Sequence, residues 1–464
     1  MLASESKDSR DFFIFLFQVL LVLLLISVFL LSLYRKFDQD EIEAVHTGWK
    51  ILNGEKIFLD FFQHHHPFFY QSISPIISVV GENVSTLYTL RVIMYGFMIG
   101  ILVFTYRLTQ MIFDSKFISW LTVLLMISMS MFSRKAIEIR PDVPQIFFAI
   151  AAFYFLFQFK TLNKKSSQYL SAFLLALSFL ILQKTLFICF GIVLVQLYWL
   201  YRKDYKVHSI IQYWSIFILS ISPYYLLLLA SNEFENYFLL NWILNMHFEF
   251  SFSAFKTILD SLYYNHFNWA LFLYGLVVCI RNRIVDIPIL SLVLLGTVFL
   301  VKAPYRQYFM PFIPFMCMIV AYGIYKTMNY KLVITVVLCT FITPTVYNML
   351  SVLNYPNKGQ LEKMMWVLAT TSKDDYVYDG KAEINLYRRD IDYFWFSTES
   401  GKGGLTTFQK LKPYDYNLNE AIFKYQPKIL SDLVIKENLS DSVMQKYTKS
   451  NLYPDLYIMQ DVID

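Results

Sequence analysis

Charged residues are scarce in this chain of 464 residues. Only 16% are Asp, Glu, Lys or Arg, whereas an ordinary soluble domain has about 25%. Long runs carry no charge at all, which excludes a water-soluble globule. Gly and Pro number 14 each, too few for collagen-like or low-complexity sequence. The net charge of +5 is too small to indicate a nucleic-acid partner by itself.

Cysteine is also rare, and internal repeats are absent. The four cysteines lie inside apolar runs, where this residue behaves as a small hydrophobic side chain, so neither a disulfide framework nor a zinc site is predicted. Without a repeat, an inverted-repeat transporter finds no support. The cysteines are Cys189, Cys279, Cys317 and Cys339.

Apolar residues are abundant, at 56% of the chain, and aromatic residues reach 19%. This composition excludes a disordered chain. A bilayer core about 30 Å thick needs roughly 20 apolar residues per helix, and the apolar runs predict about eleven transmembrane helices. The first run is too long for a signal peptide and lacks a cleavage site of small residues. The predicted spans are 12–34, 86–106, 117–133, 144–159, 169–183, 185–201, 209–230, 267–280, 287–302, 308–325 and 332–351.

Lys and Arg residues fall in alternate connections between these spans, which sets the predicted orientation. The positive-inside rule places the basic connections in the cytoplasm. The other connections, including 35–85, 231–266 and everything after 352, are then outside. One external loop carries Arg134, Lys135 and Arg140 against this rule, which indicates a function for them. The basic connections contain Lys7, Arg10, Arg107, Lys116, Lys160, Lys164, Lys165, Arg202, Lys203, Lys206, Arg281, Arg283, Lys326 and Lys331.

The chain changes character near residue 352. Residues 1–352 form the predicted transmembrane catalytic domain with its external loop 35–85. Residues 353–464 are richer in charge and contain short β-prone runs at 376–378, 428–430 and 456–459, with helix-like stretches at 361–369 and 420–425. The predicted fold class is therefore a polytopic α-helical membrane protein with a small, soluble α/β domain at the C-terminus, outside the cytoplasm.

The first external loop begins with an acidic pair, Asp40 and Glu41. The apolar residues Ile42, Val45 and Trp49 follow at helical spacing, which predicts an amphipathic helix on the outer surface. Carboxylates are favourable at a helix N-terminus. Capping and solvation of that helix therefore explain the pair as well as a catalytic function does.

Three consecutive histidines end at His66, before Pro67. Adjacent residues point in different directions, so three in a row rarely share one metal ion. A polar run before an interfacial aromatic belt is the simpler interpretation.

Cations and one further carboxylate occupy the later external segments. Arg140 suits an anion such as phosphate, because a guanidinium matches phosphate geometry, and Asp142 can instead cap the fourth span. Lys184 is an isolated charge between two apolar runs, either functional or reaching the interface from a short turn. Tyr305 and Arg306 form either part of a site or an interfacial anchor. An anionic lipid headgroup with a polar substituent would suit this set.

Several of these segments resemble the motifs of GT-C glycosyltransferases, in the bacterial branch related to protein O-mannosyltransferases and the lipid A aminoarabinose transferase. The resemblance covers most of the membrane part and is weak over 353–464. The matching segments are Asp40-Glu41, Asn53-Gly54, Phe61–Tyr70 with His66-Pro67, Ile139-Arg140-Pro141-Asp142, and Tyr305-Arg306-Gln307-Tyr308 with Pro311 and Pro314.

The resemblance implies an inverting hexosyl- or pentosyltransferase. Such an enzyme moves a single sugar from a polyprenyl-phosphate donor to a hydroxyl of a lipid, glycan or protein, on the non-cytoplasmic face of the membrane. The abundance of Lys, Asn, Phe and Tyr is typical of an AT-rich bacterial genome, so the expected location is the bacterial inner membrane with the active site on the periplasmic side. Some members of the family use a divalent metal and others do not, and no metal or other cofactor is predicted here.

The resemblance also implies residue roles. Asp40 corresponds to the catalytic base, and Glu41 is the second catalytic candidate, orienting acceptor or base. A single base suffices because a phosphate leaving group needs cations and not a general acid. The substrate-binding candidates are Arg140, Lys184 and Arg306 for the phosphate, Asp142 for orientation, and Tyr305 and His66 within the matched motifs.

Two other functions remain open. A ligase that moves a whole polymer, like an O-antigen ligase, would need a large external loop, and 231–266 is a modest candidate. A non-enzymatic transporter or flippase of lipid-linked saccharides would need polar residues across the bilayer midplane, and the predicted spans have few.

Overall fold

The computed structural model describes residues 7–249, 255–256, 259–260, 266–301, 305–396, 403–436 and 439–460. Lys302, the end of the predicted span 287–302, lies outside the described residues. So do parts of the loop 231–266, namely 250–254, 257–258 and 261–265.

The described part of the chain is mostly helical. Two π-helical turns cover Leu239–Ile243 and Val337–Ile342, and a 3₁₀ turn covers Arg306–Phe309. The α-helices are α1 (Lys7–Tyr34), α2 (Gln39–Leu52), α3 (Pro67–Val80), α4 (Ser85–Phe113), α5 (Lys116–Ile127), α6 (Ser130–Lys135), α7 (Asp142–Leu162), α8 (Lys165–Ile181), α9 (Thr185–Tyr201), α10 (Val207–Ala230), α11 (Phe234–Phe238), α12 (Leu244–His247), α13 (His266–Arg281), α14 (Asp286–Leu300), α15 (Ile313–Thr327), α16 (Tyr330–Val336), α17 (Thr343–Val352), α18 (Lys358–Thr370), α19 (Gly404–Leu411), α20 (Leu418–Tyr425), α21 (Asp432–Ile435) and α22 (Asp441–Met444).

Five helical stretches among the described residues are long and apolar enough to cross a membrane: Asp8–Tyr34, Ser85–Phe113, Asp142–Leu162, Val207–Ala230 and Tyr330–Val352. Seven shorter apolar helices accompany them. Every predicted span overlaps one or more of the described helices. The chain is therefore a helical integral membrane protein.

One predicted span, 117–133, is interrupted in the structure. Helix α5 ends at Ile127, and the short helix α6 begins at Ser130. The Ser128 hydroxyl donates to the Leu124 carbonyl (2.7 Å), and the hydroxyl of Thr345 on α17 donates to the Ser128 carbonyl. Side-chain hydroxyls thus satisfy backbone groups around the break, as buried polar groups require.

The chain forms two compact units. The helical unit comprises Met1–Arg35, Arg91–Tyr224 and Phe250–Tyr355, and the mixed unit comprises Lys36–Leu90, Tyr225–Glu249 and Pro356–Asp464.

Within the helical unit, helices α13 and α15 approach each other very closely. A Cβ atom added to Gly275 would lie 2.5 Å from the Ile319 carbonyl oxygen, and one added to Gly323 would lie 2.8 Å from the Gly275 Cα. Small residues allow such backbone contact between membrane helices. Only glycine fits at this crossing.

The mixed unit contains a four-stranded sheet in the order β1-β2-β4-β3. The strands are β1 (Val377–Tyr378), β2 (Ile429–Ser431), β3 (Tyr447–Lys449) and β4 (Leu456–Met459). Strand β1 pairs with β2 in parallel, while β4 is antiparallel to both β2 and β3.

Side chains of this sheet alternate between two hydrophobic clusters. Val377 and Ile429 pack in one cluster with Val367 of α18. Tyr378 and Leu430, each one residue later, pack in the other cluster with α20. This period of two buries both faces of the sheet. The predicted strands at 376–378, 428–430 and 456–459 are confirmed, whereas β3 and α19 were not predicted.

Candidate functional site

The acidic pair of the first loop lies at the N-terminus of α2, as predicted. Asp38 is the N-cap residue, and its carboxylate accepts a hydrogen bond from the Asp40 backbone N–H (3.2 Å). The Glu41 carboxylate is buried and accepts from the Asp38 backbone N–H (2.9 Å), which completes a capping box. The Asp40 side chain is half-buried in the first turn. The helix end therefore favours negative charge at this point.

A buried carboxylate that the sequence did not reveal lies one turn further along α2. Glu43 Oε1 accepts a hydrogen bond from Gln63 Nε2 (2.9 Å) and one from the Tyr70 hydroxyl (3.3 Å). Gln63 Oε1 in turn accepts the backbone N–H of His64 (2.8 Å) and of His65 (3.2 Å). Glu43 and Gln63 therefore fix the histidine segment against α2.

His66 is buried at the N-cap position of α3. Its Nε2 atom lies 3.1 Å from the Tyr237 hydroxyl. That hydroxyl also accepts from Trp242 Nε1 (3.1 Å) and lies 2.9 Å from the Tyr225 hydroxyl. An aromatic network centred on Tyr237 thus contacts His66.

The C-terminal half of α2 carries a buried group of charges. Asp390 Oδ2 lies 2.7 Å from both Lys50 Nζ and His46 Nε2, and Lys50 Nζ also lies 3.2 Å from Glu55. His46 Nδ1 faces the Leu386 carbonyl at 3.0 Å. A carbonyl and a carboxylate both only accept, so the ring satisfies both when both of its nitrogens carry protons. The Lys50 ammonium faces two carboxylates, Asp390 and Glu55.

This arrangement shifts the pKa values of its buried members. Burial by itself would raise the pKa of the Asp390 carboxyl, but the Lys50 ammonium and the His46 ring outweigh it, so that pKa is lowered. Burial would lower the pKa of Lys50, but Asp390 and Glu55 outweigh it and that pKa is raised. Both groups are therefore held in their charged forms.

A second charged cluster lies within the helical unit. Asp142 is the first residue of α7, and Pro141 holds the N-cap position, so the expectation that Asp142 caps this helix is wrong. Its Oδ1 accepts from Lys184 Nζ (3.1 Å), and its Oδ2 lies 3.6 Å from Arg140 Nε. Lys184 Nζ also lies 3.8 Å from the ring centroid of Tyr308. Two cations thus share one buried carboxylate.

A neighbouring buried carboxylate, Glu138, holds a further set of cations in the same unit. Its oxygens lie 3.0 Å from Arg35 Nη2, 2.7 Å from Lys135 Nζ and 3.9 Å from Arg140 Nη1. Burial, together with the positive charges of Arg35 and Arg306, lowers the pKa of the Arg134 guanidinium. More basic than acidic groups therefore gather here.

The structure places the predicted residues in both units. Asp40, Glu41 and His66 belong to the mixed unit. The structure brings Arg140, Asp142 and Lys184 together in the helical unit. In the same unit, Tyr305 and Arg306 are exposed at the start of the 3₁₀ turn.

Sequence reasoning missed Glu43, the charged group around Lys50 and Asp390, and the role of Glu138. Lys50 follows His46 by four residues, so their shared helical face could have been noticed. Nothing near Asp390 in the chain indicates its partners. Glu138 lies between Arg134 and Arg140, and the unusual charge density of that loop was its signal. Among the described residues, no three His, Cys, Asp or Glu side chains group as a metal site would need.

The fold is shared with solved structures that include ArnT and an oligosaccharyltransferase, in agreement with the family resemblance of the sequence. No protein-family model matches the chain, and no curated protein matches it in sequence. The solved structure of ArnT from Cupriavidus metallidurans bound to undecaprenyl phosphate is similar at a TM-score of 0.66 and 11% identity, over 95% of this chain and 97% of that one.

A second similar structure is the apo oligosaccharyltransferase of Archaeoglobus fulgidus. Its TM-score is 0.58 at 12% identity, covering 89% of this chain and 69% of the other. AglB from the same organism, in complex with an inhibitory peptide and a dolichol-phosphate, gives 0.56 at 11% identity, over 96% and 74%. At these identities the likeness establishes the fold.

Proposed function

We propose that this protein is an inverting glycosyltransferase that moves a single hexosyl or pentosyl group from a polyprenyl-phosphate donor to a hydroxyl acceptor. The observation that carries the proposal is the likeness over nearly the whole chain to a transferase structure holding undecaprenyl phosphate. The charged clusters at Asp142 and Glu138 support an anionic donor. The acceptor is a lipid, a glycan or a protein.

Asp40 is the proposed general base. The acceptor oxygen attacks the anomeric carbon of the donor sugar while its proton passes to the Asp40 carboxylate. The bond between that carbon and the phosphate oxygen breaks, and its electron pair leaves with the polyprenyl phosphate. Attack opposite the leaving group inverts the configuration at the carbon. Glu41, fixed in the capping box, holds the first turn of α2 in place.

Cations supply the other half of the chemistry, because negative charge develops on the departing phosphate. We assign this role to Lys184, Arg140 and Arg306. Asp142 orients the first two, and Lys184, Arg140 and Asp142 together carry one net positive charge. An anionic phosphate would neutralise this positive charge. Tyr305 and His66 are the remaining proposed contacts to substrate.

The proposal includes the wider organisation predicted from the sequence. About eleven helices cross the membrane, residues 353–464 form a soluble α/β domain, and that domain and the active site face the periplasm of a bacterial inner membrane. No resident metal is included. Alkaline phosphatase fused after residue 464, active only when exported, tests the orientation directly.

The Asp40→Asn variant tests the function. Asparagine retains the size of the side chain but cannot take the proton, so we expect transfer to fall at least a hundredfold, the usual contribution of a general base. The matched control is Asp60→Asn, because Asp60 is exposed in the same unit and its carboxylate only accepts the Lys56 backbone N–H. Mass spectrometry of envelope lipids and glycans in the native host provides the readout.

Each outcome has a definite meaning. Loss of one sugar from a surface glycan, with accumulation of the polyprenyl-phosphate sugar, supports the proposal. Loss of a whole polymer would instead identify a ligase. If both variants keep the wild-type glycans and lipid pools, Asp40 is only part of a helix cap and the transporter hypothesis gains.

A further inference from the structure

A groove of about 990 Å³ runs along the helical unit, away from the charged clusters described above. Its walls come from α1, α4, α5 and α7. The apolar lining includes Leu21 and Val22 of α1 and Leu102 and Val103 of α4. Val22 and Val103 are 53% and 46% exposed, so the groove is open at the surface.

The surroundings of this groove are hydrocarbon and not water. Helices α1 and α4 are two of the long apolar stretches that can cross a membrane. Water does not wet an apolar groove at that depth, whereas lipid chains are available all around it. The volume lies at the upper end of the range for small-molecule sites, about 300–1,000 Å³. It therefore suits the chains of a lipid.

One end of the groove is polar. Arg107 and Gln110, three residues apart, line it from the last turns of α4, and Asp114 lines it from the position directly after the helix ends. Two aromatic side chains in the lining, Tyr106 and Trp120, pack together with ring centroids 4.7 Å apart, as in an interfacial aromatic belt. In the described part of the chain neither Arg107 nor Asp114 has an ion-pair partner.

This polar end belongs to the opposite face of the membrane from the Glu138 cluster. Arg91, near the start of α4, donates to the carbonyl of Arg35 (2.8 Å), and Arg35 binds Glu138. At 1.5 Å per residue, Arg107 lies roughly 24 Å and the helix end at Phe113 roughly 33 Å further along, and Asp114 follows directly. That distance is about the thickness of a bilayer core. The groove is thus separate from the proposed donor site.

The order of groups along the groove matches one class of lipid. From the apolar body outward come a guanidinium at Arg107, an amide at Gln110 and a carboxylate at Asp114. A phosphatidylethanolamine molecule presents acyl chains, then a phosphate, then an ammonium in the same order. We propose that this groove is a binding site for such a zwitterionic phospholipid, with its phosphate on Arg107 and its amine on Asp114.

The charges also disfavour the main competing lipid. Phosphatidylglycerol carries the same phosphate but no ammonium, so Asp114 gains nothing from it and repels its negative charge. The groove should therefore prefer phosphatidylethanolamine over phosphatidylglycerol, although bilayer surfaces usually attract basic proteins to anionic lipid. The preference comes from the carboxylate.

Native mass spectrometry of the full-length protein with equal amounts of the two lipids measures this preference. We expect the wild type to retain one phosphatidylethanolamine with about fivefold preference, the effect of one nearby charge. Asp114→Asn should retain lipid but lose the preference, and Asn tolerates the left-handed backbone at this position (φ 45°). Arg107→Gln should lose both lipids about equally.

Arg202→Gln is the matched control, because Arg202 is exposed at the end of α9 and does not line the groove. It should behave as the wild type. Equal retention of the two lipids by the wild type would overturn the proposal without reference to any variant. A wild-type preference that survives in Asp114→Asn would also overturn it. These outcomes do not depend on glycosyl transfer, so this experiment tests the lipid site and leaves the test of the proposed function to the Asp40→Asn variant.

Discussion

Replacing Asp390 by Asn should destabilise the mixed unit far more than replacing an exposed carboxylate. Asp390 joins Lys50 and His46 at 2.7 Å each, and all three side chains are buried. Removing one member of a buried pair leaves an uncompensated charge and costs about 3–5 kcal/mol. Glu55, 3.2 Å from Lys50, still offers a partner. We therefore expect the lower end of that range, about 3 kcal/mol.

The assay is unfolding of the purified full-length protein, followed by tryptophan fluorescence. The matched control is Asp374→Asn, because Asp374 is highly exposed and lies 3.5 Å from Arg389. An exposed pair of this kind contributes about 0–1 kcal/mol. A double variant, Asp390→Asn with Lys50→Met, should recover stability because it removes the stranded charge as well. Equal stability of Asp390→Asn and Asp374→Asn would refute the importance of the buried ion pair. So would a double variant that is less stable than Asp390→Asn alone.

The pH dependence of stability follows from the same pair. The pKa of Asp390 is lowered in the folded state, so its contribution is present above the unfolded pKa of about 3.9 and is lost as the pH falls through the folded pKa. The pKa of Lys50 is raised, so its contribution is present below about 10.4 and is lost as the pH rises through the folded pKa. Asp390→Asn should therefore flatten the acid limb of the stability profile.

Two more predictions concern the helical unit. Lys184→Met should weaken donor binding and transfer at least tenfold, because a charged contact to phosphate is worth about 1.5–3 kcal/mol. Lys184→Arg should retain part of the activity. Full activity in Lys184→Met would exclude this lysine from the site. Gly275→Ala should destabilise the crossing of α13 and α15 by about 1–3 kcal/mol. Gly296→Ala is the control and should not destabilise the protein, because no atom lies within 4 Å of its added Cβ. Equal melting temperatures for these two glycine variants would contradict the close helix contact.

The sequence determined the helical architecture to a large extent. Its apolar runs marked segments that are helical in the structure, and the spacing of Ile42, Val45 and Trp49 predicted α2. These signals are local, because a helix or strand imposes its own period on the residues it buries. The short strand β3, with only Tyr447 buried, carries too little of that period to be recognised.

Tertiary structure decided which charges meet. His46 and Asp390 are 344 residues apart, and Lys184 reaches Asp142 across 42 residues. No local pattern encodes such a pair, because its energy arises only once both groups have left water together. The sequence could therefore name Asp142 and Lys184 as candidates. Only the folded chain could make them partners, and only it could reveal Asp390 and Glu43.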